Sequence, residues 1–202
     1  MNILKRYCGP LLVCSGLVGV LSMPAAAEPA PAARAALLLG TFDNPDHPQI
    51  SVGEVRWHAE ADGDAIRADV ALPGTGADLT IQVRSNTDPS LPVDYTIELR
   101  FTAAETSFQD LIETVAPPTL RATEGAVGQP LAATVVPISA RVYLVGLPHG
   151  PDADKDATLL RSAEWFDLPI KLTGNRLAKI TFEEGMVGHQ ALDRVFKRRG
   201  GQ

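Results

Sequence analysis

Cysteine is nearly missing from this chain of 202 residues: Cys8 and Cys14 are the only two, and both lie within the first 27. A body formed by the remaining residues has no thiol, which excludes a disulfide framework, a thiolate metal site and a cysteine nucleophile. Histidine is almost as scarce. His47, His58, His149 and His189 fall in four separate segments without ligand spacing, so a zinc site has no basis in the sequence. Also missing are a G-x-S-x-G nucleophile elbow and a glycine-rich phosphate cradle ahead of a helix.

Basic charge is in short supply too. Without Lys5 and Arg6 the chain keeps 16 basic residues against 24 acidic ones, a formal charge of −8. An acidic body with no basic stripe argues against nucleic acid and against binding an anionic membrane surface by charge; solubility is the plainer reading.

No long hydrophobic run is present either. Leu11 to Met23 is thirteen residues, short of the roughly 20 that span a bilayer, and Pro10 and Pro24 bracket it. Lys5 and Arg6 precede this run and Ala25-Ala26-Ala27 follow it, which is the pattern of an export signal cleaved after Ala27. Residue 13 is valine, which does not suit a lipid-modified Cys14, and Lys5-Arg6 is not a twin arginine. The expected product is a periplasmic or secreted chain with no membrane span after cleavage. Residues 28–40 begin as a Pro/Ala-rich tether, leaving 41–199 as a single domain long enough for one core.

What the chain does have is a two-residue rhythm. Val55, Trp57 and Ala59 alternate with Glu54, Arg56, His58 and Glu60. After an Asp62-Gly63 turn, Ile66, Ala68, Val70 and Leu72 alternate with polar residues, and Leu79, Ile81 and Val83 do the same. Val93, Tyr95, Ile97, Leu99 and Phe101 form the longest set. Such alternation means sheet with one buried and one wet face, and the short Gly/Pro/Asp turns mean antiparallel hairpins. Residues 103–123 are ambiguous: 107–115 fits helix or strand equally, Ala116-Pro117-Pro118 stops it, and a short strand follows near 119–123. Pro137 marks an edge strand or a bulge, whereas Val142 to Val145 reads as a central strand. Helices are expected over 151–164 and 188–199, the second with Leu192, Val195 and Phe196 on one face.

The segment 165–185, WFDLPIKLTGNRLAKITFEEG, reads as a hairpin whose register can be derived. A two-residue Gly174-Asn175 loop would put the two apolar sets on opposite faces. Pairing Ile170 with Ile180 would set Lys171 against Lys179 and Asp167 against Glu183, both repulsive. Pairing Leu168 with Ile180 and Phe166 with Phe182 avoids these clashes. It requires a three-residue loop, Thr173-Gly174-Asn175, with a left-handed residue at 174 or 175.

Chemistry has few candidates. The acids of DADKD (152–156) open like a calcium loop, but Ala157 and Ala163 stand where that loop needs glycine and glutamate. They suit the first turn of a helix instead. No catalytic, cofactor or metal residue is assigned, and the chain reads as leaning away from an enzyme. By alternation Trp57 belongs to the core; Trp165, at a helix–strand junction, could face either way. The polar, proline-containing loop 85–92 suits a rigid surface loop. Asn86, Asp88 and Trp165 are therefore the residues that could meet a protein or glycan partner.

In order, the segments NTDPSLPVDYTIELRF, YLVGL, LLRSAEWFDLPI, NRLAKITFEEG and LDRVF resemble an uncharacterised family of exported bacterial proteins, over roughly residues 51–197. The resemblance implies an envelope protein and no particular activity. This chain departs from the pattern at Glu184, where a basic residue is expected before Gly185. The expected fold is all-β: an antiparallel sandwich of about nine short strands with two small C-terminal helices. The expected role is non-catalytic binding or envelope support. The alternative is a carbohydrate- or peptidoglycan-directed module with hydrolase activity through a carboxylate pair.

Overall fold

Alternation in the sequence becomes alternation in burial. In the computed structural model, which describes residues 31–41, 47–60, 65–102 and 108–197, strands β2 (Gln49–Ala59), β3 (Ala65–Ala71), β4 (Leu79–Ser85) and β5 (Val93–Phe101) form an antiparallel meander. The inward residues Val55, Trp57, Ile66, Ala68, Val70, Leu79, Ile81, Val83, Tyr95, Ile97, Leu99 and Phe101 are all buried. Ala59 breaks the rhythm and is exposed at its strand end. The expected signal (1–27) and the Asp62-Gly63 turn lie outside the described residues.

The tether expectation fails at Ala33. Residues Ala33–Thr41 are strand β1, so the folded body begins there rather than at 41. The strand signal is weak there because alanine has low strand propensity and Leu37-Leu38-Leu39 does not alternate. The pairing of β1 is that of a central strand, with β2 on one side and β12 (Arg176–Glu183) on the other, and Ala35 and Leu37 are buried while Leu38 lines the outer face.

Residues 109–111 form one 3-10 turn, and β6 (Ile112–Val115) and β7 (Thr119–Arg121) follow it. Both pair with β11 (Trp165–Leu172), so Ala116-Pro117-Pro118 splits what would be one strand into two. Strand β8 (Gln129–Pro130) joins β7 at one edge of the sheet. At the other edge lies β9 (Thr134–Ser139), paired with β10 (Val142–Pro148). Pro137 is thus on an edge strand, and the register also slips there, because Ser139 faces Val142 while Pro137 faces Tyr143.

These twelve strands make one continuous antiparallel sheet curled into a half-barrel, in the order β8-β7-β11-β12-β1-β2-β3-β4-β5-β10-β9, with β6 beside β11. The all-β antiparallel class and the two small helices, α1 (Pro151–Ser162) and α2 (Gly185–Lys197), agree with the sequence reading. The nine-strand sandwich does not. One wall of the curl (Ile81, Val83, Ile97, Leu99) faces the other (Phe166, Leu168, Phe182), with a cavity of only about 10 Å³ between them. That is about the size of one water probe, so the interior is packed.

The hairpin takes the derived register. Leu168 faces Ile180, Phe166 faces Phe182 and Lys171 faces Leu177. Thr173-Gly174-Asn175 forms the loop, with φ of 71° at Gly174 and 58° at Asn175. Two successive left-handed residues explain why glycine and asparagine stand there.

Candidate functional site

Helix α2 enters the concave side where β12 ends. Ala191, Leu192, Val195 and Phe196 are buried, and the Phe196 ring meets Tyr95 edge-on at 4.6 Å. The helix approaches closely because residue 188 is glycine. A Cβ there would lie 2.8 Å from Trp57 Cδ2, 2.9 Å from Cε2 and 3.0 Å from Glu184 Cγ. Trp57 is itself held by its indole N–H, which donates to the Glu183 carbonyl at 3.1 Å. Alanine in place of a mid-helix glycine ordinarily gains up to about 1 kcal/mol. Gly188→Ala should instead lose roughly 1–3 kcal/mol through overpacking against the indole, measurable as a lower urea midpoint.

The same close packing seals Glu184, whose residue is 1% exposed. His189 Nδ1 stands 3.3 Å from its Oε1. It is off the line of a hydrogen bond, however, and neither carboxylate oxygen has a hydrogen-bond partner in the protein. Burial first, then the neighbouring Asp193 and Glu164 carboxylates, push this carboxyl up to about 9. It is therefore protonated at neutral pH. A cavity of about 400 Å³ opens beside it, lined by Glu164, Glu183 and His189 among others. The side chain of Glu183, the preceding residue, points to the opposite face, where the Arg34 guanidinium holds its carboxyl below the usual range.

On the outer face of the sheet lies a groove of about 420 Å³ across β11, β12 and β1. Its walls include Leu38, Pro48, Ala116, Pro169 and Leu177. Lys171 and Lys179 are the only charged residues among the described residues lining it. The hairpin register places them diagonally, since Lys171 faces Leu177 and Lys179 faces Pro169. Lys171 Nζ is 2.7 Å from Glu113 Oε2 and Lys179 Nζ is 3.2 Å from Asp167 Oδ2. Beyond Leu38, its cross-strand partner Ile50 is 63% exposed and nearby Val52 is 77% exposed.

The residues expected at a partner surface do not come together. Trp165 points to the outer face but is only 5% exposed, with the Arg34 and Arg121 guanidiniums 4.8 and 5.4 Å from its ring centre. Asn86 organises its own loop. Its amide nitrogen donates to the carbonyls of Asp88, Leu91 and Val93, and its oxygen accepts from the Asp88 N–H. Asp88 is exposed and accepts from the Ser90 hydroxyl and N–H, which lower its pKa in that order. This gives a self-bonded loop between β4 and β5, with four strands separating β4 from β11 in the sheet order. Trp57 is in the core, 2% exposed.

The DADKD acids divide. Asp152 and Asp154 occupy the first turn of α1. Asp156 is fully buried, accepts from the Ala132 N–H at 3.1 Å and has its pKa raised by burial. Among the described residues no group of three or more His, Cys, Asp or Glu is placed to hold a metal, and no helix is long and apolar enough to cross a membrane. Sequence reasoning missed Glu184, Lys171 and Lys179. The sequence singled out Glu184 only as an acid where a basic residue was expected before Gly185. Compared with protein-family models, curated proteins and solved structures, the chain finds no match.

Proposed function

We propose that this chain is an exported, non-catalytic binding protein of the bacterial envelope, and that its ligand sits on the outer face of the sheet. The observation that carries this reading is the groove over β11, β12 and β1. A face expected to be evenly polar instead holds a 420 Å³ depression with apolar walls and exposed Ile50 and Val52 alongside. That volume is in the range of small-ligand sites, and apolar side chains clustered on a wet face mark contact surfaces. Export is supported by the amino-terminal signal pattern. The glycan-directed hydrolase alternative draws less support, because Trp165 is covered by two arginines and the Glu184 oxygens are closed to solvent.

The test is capture from envelope extract on immobilised mature chain, in parallel with a groove variant, Leu177→Asp, checked for native unfolding. Recovery of a protein, glycan or lipid by the wild-type chain but not by the variant is expected. Equal recovery by both, or none by either, would count against a binding role for this face.

A further inference from the structure

We infer that the groove binds a single-chain anionic amphiphile, with the acidic head between Lys171 and Lys179 and the tail over Leu38, Leu177 and Pro169. The inference rests on the binding reading above and narrows it to one ligand chemistry. Charge gives the sign of the head. In a body with a large acidic excess, the only charged groups among the described residues lining this depression are two ammonium groups. Their neighbours on opposite strands are Leu177 and Pro169, and residues diagonal across such a pair lie about 7–8 Å apart. Two lysines at that spacing can converge on one carboxylate or phosphate by swinging from their present partners, because Asp167 lies on the far side of Pro169 from Lys171 and Glu113 lies beyond β11. Each already has a carboxylate beside it, Glu113 or Asp167, but an ammonium has three N–H donors and one partner does not exhaust them. Their side chains are 47% and 39% exposed, so the heads reach solvent while the stems line apolar wall.

The rest of the molecule follows from the floor. From β6 across β11 and β12 to β1 is three strand spacings, roughly 14 Å, and Ile50 and Val52 continue the apolar surface onto β2. An extended peptide would need main-chain partners. Strands β11, β12 and β1 each have neighbours on both sides, so their backbone groups are used within the sheet. A hydrocarbon chain needs no such partners. The acidic surface elsewhere disfavours docking onto an anionic bilayer, which leaves the free amphiphile as the occupant.

The experiment is isothermal calorimetry of the mature chain at neutral pH with probes below their micelle concentrations. They are dodecanoate, dodecyl phosphate, dodecanol, dodecyltrimethylammonium and inorganic phosphate. One site per chain is expected for the first two, with dodecanol about tenfold weaker for want of charge-assisted hydrogen bonds. The cation and bare phosphate should give no saturable heat. In the double variant Lys171→Gln/Lys179→Gln, dodecanoate should fall to the dodecanol level, and Leu177→Gln should weaken both. Unfolding curves establish that each variant is folded.

Equal binding of dodecanoate and dodecanol to the wild-type chain would overturn the proposal, as would dodecanoate binding that survives loss of both lysines. Binding only to phosphatidylglycerol vesicles, with no response to monomers, would overturn it in favour of a membrane surface. Failure of every amphiphile while Leu177→Asp still abolishes capture from extract would reject this ligand class and leave the binding reading intact. Failure of both would reject both.

Discussion

Glu184→Gln is expected to yield a protein more stable than the parent at neutral and alkaline pH, by an amount that grows as the pH rises. The side chain titrates at an ordinary 4.5 when unfolded and at about 9 when folded. Between those values the folded chain holds a proton that the unfolded chain has released, so the parent loses stability as pH rises. The loss approaches a factor of about ten in the folding constant per pH unit. Below the lower value the contribution of the protonated form is fully present; above the upper value no further loss accrues. Burial of the carboxyl sets the sign, and the groups facing it reinforce it. Asp193 on α2 and Glu164 before β11 oppose its ionisation, and His189 at 3.3 Å does not hydrogen-bond it.

Glutamine keeps the shape without a proton to lose, so urea-derived stability of the variant should be much flatter from pH 5 to 9. By pH 8 the gap should be on the order of several kcal/mol. Parallel pH profiles for parent and variant would show that Glu184 is not the buried acid described above.

Trp57→Ala should be the most damaging single change in the sheet. The indole is 2% exposed, lies 5.8 Å from the Phe166 ring and 6.2 Å from Phe182, and supports Gly188 of α2. Removing it opens a cavity and leaves the Glu183 carbonyl without its donor, a loss of about 3–5 kcal/mol. Set against the roughly 5–15 kcal/mol that holds most domains together, that should leave the variant marginal. A urea midpoint within experimental error of the parent would refute the core role. Trp57→Phe, which keeps a ring and loses the donor, should fall between the two.

Much of the architecture was legible because alternation reports directly on burial. Tyr95, Ile97 and Leu99 are inward as their spacing requires, and the hairpin register followed from two charge clashes and the face rule. Alternation does not say what a face is buried against. Ile81 and Leu99 would alternate identically in a sandwich of two sheets and in one sheet folded over itself. The difference lies in β1, whose alanines and leucines carry no periodic signal and whose pairing with β12 joins the two walls.

The sites were less legible for the same reason. Glu184 continues the inward phase of Ile180 and Phe182, but its charge and its place beside Glu183 read as polar surface, and the helix that covers it through Gly188 and Trp57 is not visible in the local pattern. Trp165 was open in either direction, and two arginines from β1 and β7 decided it. Lys171 and Lys179 entered the register argument as a repulsion to avoid. The avoidance is what sets them on a diagonal at the groove.

The position of β1 also bears on how the chain reaches this state. Residue 35, near the start of the described body, sits across from residue 182, near its end, so the seam between the two walls closes only once nearly all of the chain is present. The β2–β5 meander can assemble from local contacts, but its outermost partner must wait. Sheets dominated by such distant pairings fold slowly. A chain that stays open until its last hairpin arrives remains threadable through a narrow channel for longer than one that collapses early.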